Sequence, residues 1–235
     1  KIVFIHTHIV DFTKRFVKFL GKENFTIIHT MRNPLSAINS PVKNWLHFER
    51  GKNFFAMNLY FQLDLVFNGI ADLKKLKQKI FIIQLEKLHW EHKKVMRDFC
   101  KIFKIKYEKC LEKTTYHGLQ WWGDKVGNRW VSGINKKFKI TLNNNLFFDR
   151  DVSFFEYLAS DLIKFYKYNF TSKDKKKFYF NILPMKCELL VWKNTFKHKK
   201  IKHLLSIPFF YFKRIILLNK FAINNKHLPY SIGSN

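Results

Sequence analysis

The 235-residue sequence predicts an α/β fold: an open, mostly parallel sheet covered by helices, with a basic helical region at the C-terminal end. Three observations carry that prediction. Short apolar runs recur at residues 1–5 (KIVFI), 25–31 (FTIIHTM) and 79–85 (KIFIIQL), each rich in β-branched or aromatic residues and none alternating. Runs of that kind belong to strands buried on both faces, as in parallel sheets. Segments of helical period lie between them, long enough to serve as crossovers between parallel strands. In such sheets ligands sit beyond the C-terminal ends of the strands, which points to the residues after Ile5, Met31 and Leu85.

In the first crossover, residues 11–22, Asp11 is placed as N-cap, Phe12, Phe16, Val17 and Leu20 share a face, and Gly21 is the stop. The second run ends in Arg32-Asn33-Pro34, where Asn33 and Pro34 read as a capped helix start, and Ser40-Pro41 reads as a second one. A long helical pattern covers 53–79, with a break expected at Asn68-Gly69. After the third run, residues 89–105 place Trp90, Val95, Met96, Phe99, Ile102 and Phe103 at helical spacing. From 110 to 137 the pattern turns to Gly, Trp and charge, which predicts a long loop. Residues 153–170 read as an amphipathic helix capped by Ser153 or Asp151, followed by a charged linker over 171–178. The organisation expected is an α/β domain over 1–170 and a basic, apolar helical extension over 171–235 that packs back on it. Within the extension, the run 204–223 is interrupted by Pro208, Lys213, Arg214 and Lys220, which makes it a poor membrane span but leaves peripheral membrane contact open.

Net charge is +27, from 44 Lys and Arg against 17 Asp and Glu, and favours polyanionic partners: nucleic acid, anionic lipid, sulfated or phosphorylated ligands. Heavy use of Lys, Asn, Ile and Phe (27 Phe) gives the same surplus a compositional origin, so charge alone selects no function. Cys100, Cys110 and Cys187 are odd in number and at no metal-ligand spacing, and read as reduced thiols; no metal site is predicted.

The strand ends carry the chemistry. His6 and His8 follow the first run. At the second, a guanidinium (Arg32) ahead of free helix-start N–H groups and a hydroxyl (Ser40) makes an anion site suited to a phosphate. Glu86, after the third, reads as an ordinary carboxylate at the start of a helix. In the loop, Gly118-x4-Gly123-Asp124-Lys125 has its lysine one position late for a phosphate loop, with no Ser or Thr after it and no strand before it. It reads instead as a basic, glycine-jointed segment in which Trp122, Gly123, Lys125 and Arg129 can close over a nucleotide. A surface loop pinned by buried tryptophan accounts for it equally.

Taken together, His6-Thr7-His8, the "MRNPLSAINS" element with Arg32 and Ser40 eight apart, "FIIQLEKLHWEHKKVMRDFCKIFKI" and "WWGDKVGNRW" resemble the PAPS-dependent sulfotransferases over about residues 1–138. The likeness is closest to bacterial and carbohydrate-directed members. It implies a P-loop-like sulfotransferase fold, with PAPS (3′-phosphoadenosine 5′-phosphosulfate) as co-substrate and no metal. It further implies a hydroxyl acceptor, carbohydrate first. By position it implies that Arg32 and Ser40 bind the donor's 3′-phosphate, that His8 is the general base, and that the Trp122–Arg129 stretch lies near that phosphate. Many carbohydrate-directed members place a glutamate base elsewhere, so the base stays open. Nothing here matches the family's first strand and its phosphosulfate loop. The sequence starts at Lys1 rather than Met, so both are expected in a missing upstream piece, without which the chain would be inactive. One rival reading is a non-catalytic, basic module for nucleic acid or another polyanion, which explains the charge but not the Arg-x7-Ser spacing. A nucleotide kinase-like enzyme, the other rival, would need a true phosphate loop.

Overall fold

Parallel strands and a majority of helix give the chain an α/β architecture. The structure, a computed structural model, describes residues 10–21, 26–47, 54–74, 80–113, 115–116, 119–120, 134–136, 145–169, 171, 182–198, 201–224 and 231–232. In chain order its elements are α1 (Val10–Leu20), β1 (Ile27–Met31), α2 (Pro34–His47), α3 (Ala56–Lys74), β2 (Ile80–Gln84), α4 (Leu85–Trp90) and α5 (His92–Ile102). A 3-10 turn at Lys109–Glu112 follows, then β3 (Thr115–Tyr116), β4 (Leu119–Gln120), α6 (Asp149–Leu158), α7 (Ser160–Phe165), α8 (Lys186–Lys197), α9 (Ile201–Asn224) and β5 (Ser231–Ile232). They fall into two compact units: Lys1–Thr26, Pro34–Lys79 and Leu142–Leu228 in one, Ile27–Asn33, Ile80–Thr141 and Pro229–Asn235 in the other.

The sheet unit has strand order β1-β2-β5, all parallel, with Met31 opposite Gln84 and Ile83 opposite Ile232. β2 is central and buried at all five positions, as its unbroken apolar run predicts. The first expected strand, residues 1–5, lies outside the described residues. β1 is less buried than expected: Thr30 is exposed because β1 has β2 alone as a described neighbour. Phe81, Ile83 and Val95 form the core of this unit, packed by Ile28, Leu88, Phe99 and Phe103. The Phe81–Phe103 rings meet edge to face with centroids 5.3 Å apart, which locks the far end of α5 onto the strand. Lys93 meets Glu112 at 2.6 Å and so ties the 3-10 turn to α5. Part of the expected long loop is thus ordered, as that turn and the antiparallel β3-β4 pair.

The helical unit is built on α3, against which α1, α2, α8 and α9 all pack. Leu59, Leu63 and Phe67 recur every four residues on its buried side. That burial carries α3 straight through Asn68-Gly69, where a break was expected, because a helical glycine costs only about 1 kcal/mol. α2 likewise corrects the reading of two successive caps: it begins at Pro34 and continues through Pro41 to His47. Pro41 has no N–H for the Ala37 carbonyl, yet Leu35, Ile38 and Val42 are buried on one face and hold the helix together. α1 starts at Val10, so Asp11 is inside it, and it ends as expected at Gly21, whose φ of +84° suits glycine.

The helix expected over 153–170 is instead α6 and α7, joined at Ala159, with α6 starting at Asp149. Asp151 caps it from within: one carboxylate oxygen accepts the Phe148 N–H at 3.0 Å and also the Lys186 N–H at the start of α8, at 2.9 Å. Burial still outweighs those bonds and raises the Asp151 carboxyl above its ordinary value. Nearby, Glu188 accepts the Met185 N–H at 2.8 Å and takes a two-pronged ion pair from Arg214 of α9.

Candidate functional site at the strand ends

Because Met31 stands opposite Gln84, the residues that follow β1 and β2 emerge at the same edge of the sheet unit. From β1 come Arg32 and Asn33; from β2, Leu85 and Glu86. Glu86 is fully buried, and its Oε1 accepts the backbone N–H of Asn33 at 2.8 Å. A charge-assisted bond of that length clamps the two strand ends together and fixes the backbone from which Arg32 projects. Glu86 therefore does more than begin a helix, which is all that its sequence context announces.

His89 stands one turn beyond Glu86 on α4. Its Nδ1 accepts the Asn135 N–H at 3.2 Å. Burial lowers its pKa, and the negative charge of Glu86 works against that shift. His29, within β1, is also held below the ordinary imidazole value by burial. Neither histidine is singled out by the sequence; His29 stands two residues before the end of β1 and His89 five residues after the end of β2, near the kind of strand end that points to His8.

Arg32 is half-buried at the end of β1. Ser40 is half-buried in the middle of α2, six residues or about 9 Å of helix rise beyond Pro34, and so caps no helix. The two residues belong to different compact units. His8, Trp122, Gly123, Lys125 and Arg129 lie outside the described residues. Among the described residues, no group of three or more His, Cys, Asp or Glu could hold a metal ion. Cys100 and Cys187 are buried free thiols and Cys110 an exposed one.

What this edge can do chemically follows from its groups. Arg32 supplies a permanent cation with several donors, on a backbone held by a buried carboxylate, which suits an anionic oxygen ligand. His89 offers a neutral imidazole near neutral pH. No family model matches this chain, and neither does any curated protein or solved structure.

Proposed function

We propose that the chain belongs to a sulfotransferase, with the P-loop-like sulfotransferase fold, that moves a sulfuryl group from PAPS to a hydroxyl acceptor, a carbohydrate in the first instance. The observation that best supports the reading is the paired strand end: a parallel strand that runs into Arg32-Asn33-Pro34, with the Asn33 backbone held by Glu86. In this reading the Arg32 guanidinium takes the donor's 3′-phosphate, and Ser40 is assigned to the same phosphate by its spacing from Arg32. His8 is the base, and Trp122, Gly123, Lys125 and Arg129 form the segment over the nucleotide.

Transfer requires little covalent work of the protein. The base removes the acceptor's hydroxyl proton as that oxygen bonds to sulfur, and the bond from sulfur to the phosphate oxygen breaks in line. Adenosine 3′,5′-bisphosphate leaves with the electron pair, and cations placed beforehand stabilise its growing charge. Binding of that product tests the reading directly. At about 200 mM salt, where non-specific binding of polyanions is screened, adenosine 3′,5′-bisphosphate should raise the melting temperature of the chain, while ATP and short duplex DNA should not. At a ligand concentration of 100 times Kd the stabilisation is about 2.7 kcal/mol. Arg32→Ala should abolish the shift and Ser40→Ala should weaken it. No shift in the parent chain overturns the assignment.

A further inference from the structure

Helix α9 leaves an apolar stripe without a partner among the described residues. Ile201, Leu205, Phe209, Phe212 and Ile216 are all more than half exposed, from 54% at Ile216 to 77% at Leu205. Their spacing of four, four, three and four residues confines them to an arc of roughly 80° at 3.6 residues per turn. The opposite side of the helix buries Arg214, Leu217 and Leu218 in the helical unit. Lys202, Lys213 and Lys220 are exposed too, and helical geometry sets them in one row roughly 20–40° beyond one edge of the stripe. Lys213 Nζ lies 4.5 Å from the Phe209 ring centroid, so row and stripe form one surface. The 24 residues of α9 include no Asp or Glu.

A bilayer and a second copy of the chain are the two occupants to weigh, and charge decides between them. A second α9 laid on the stripe would bring two rows of lysines together in molecules that each carry +27, with no acid on either helix to offset them. A bilayer rich in anionic lipid offers hydrocarbon to the aromatic stripe and negative head groups to the lysines. No described helix is long and apolar enough to cross a membrane. The Arg214–Glu188 bonds hold α9 to α8 by the opposite face, which leaves the stripe free to lie in the plane of the interface.

We propose that this face of α9 docks the protein on anionic membrane surfaces, with Phe209 and Phe212 inserted below the head groups and Lys202, Lys213 and Lys220 among them. The proposal is independent of sulfuryl transfer. It is tested by sedimentation of the full chain with extruded vesicles of phosphatidylcholine alone, or with about a third phosphatidylserine, at physiological salt. The chain should partition to the phosphatidylserine vesicles and stay in solution with the others. Phe209→Ser/Phe212→Ser should lower that partition at least tenfold, and Lys202→Glu/Lys213→Glu/Lys220→Glu about a hundredfold, at roughly fivefold per lysine. Phe209→Leu/Phe212→Leu keeps the apolar surface and must retain binding, which guards against loss by misfolding; melting temperatures provide the second guard. The proposal fails if the parent chain ignores phosphatidylserine vesicles. It fails equally if the serine variant binds as well as the parent, since charge alone would then drive the contact. Light scattering that shows a dimer abolished by the serine pair, with vesicles unbound, would assign the stripe to a second copy.

Discussion

Arg214 is the bulkiest fully buried side chain among the described residues, although in the sequence it only interrupts an apolar run. Its Nε and Nη2 each donate to a different oxygen of Glu188 at 3.0 Å, and Nη2 also reaches the Leu183 carbonyl at 3.2 Å. Burial raises the Glu188 carboxyl while Arg214 pulls it back, so the pair is costly to form and costlier to break. Glu188→Ala should therefore destabilise the chain by about 3–5 kcal/mol in urea titration, since it strands a buried guanidinium. A loss below about 1 kcal/mol would mean that water reaches Arg214 and that the pair does not hold α8 to α9. Spacing could not have announced this contact, for the two residues lie 26 apart and meet only once two helices pack. Histidines allow a second test. Burial holds His29 and His89 below the ordinary imidazole pKa of 6.5, so the unfolded chain binds protons more readily at these sites. Their stabilising contribution is complete above that value and fades as pH falls through it towards the folded-state values. His29→Gln should flatten the loss of stability between about pH 7.5 and 5.5, and an unchanged slope would remove His29 from the account.

At the scale of elements, helix ends decide how well the sequence can be read. Strand β2 and the stop of α1 at Gly21 follow from local chemistry alone and were legible. The ends of α5 and α7 were not, because each turns through a lysine in the left-handed region: Lys104 at φ 52° and Lys167 at φ 55°. Both follow one pattern. Ile105 N–H returns to the Cys100 carbonyl and Lys104 N–H to Lys101; Tyr168 N–H returns to Ile163 and Lys167 N–H to Lys164. That double bond set normally recruits glycine, whose lack of a Cβ removes a penalty of roughly 1–2 kcal/mol. Lys104→Gly and Lys167→Gly should each raise stability by about 0.5–1 kcal/mol, less than the full penalty because glycine also loosens the unfolded chain. A destabilised variant at both positions would show that the lysine side chains, not the backbone, hold these turns. α2 and α3 failed to be legible for the opposite reason: Pro41 and Gly69 are strong local signals, and packing of the buried face overrides them.

For the molecule as a whole, what escapes the sequence is long-range pairing. Residues 231–232 join β2 as a third parallel strand, although the tail from 171 onward reads as basic helix, and a two-residue strand has no periodicity to read. The strand-end logic was legible in part: it picked out Arg32, while the Asn33–Glu86 clamp 53 residues apart needed the parallel register to be seen. Net charge of +27 is legible at once and still ambiguous, and ionic strength is the tool that resolves it. A basic surface binds any polyanion by releasing condensed counterions, so its affinity for duplex DNA falls by a log-log slope of about −0.9 per phosphate neutralised. A bisphosphate gripped by Arg32 at a half-buried strand end neutralises few charges and loses little over the same range. Short duplex DNA should therefore bind at about 50 mM salt and release near 200 mM, whereas the adenosine bisphosphate melting shift should persist at both. Arg32→Ala should remove the second effect and leave the first. If DNA stays bound at the higher salt, Arg32→Ala changes nothing and the bisphosphate gives no shift, the chain is a polyanion-binding module and its strand-end arginine is structural.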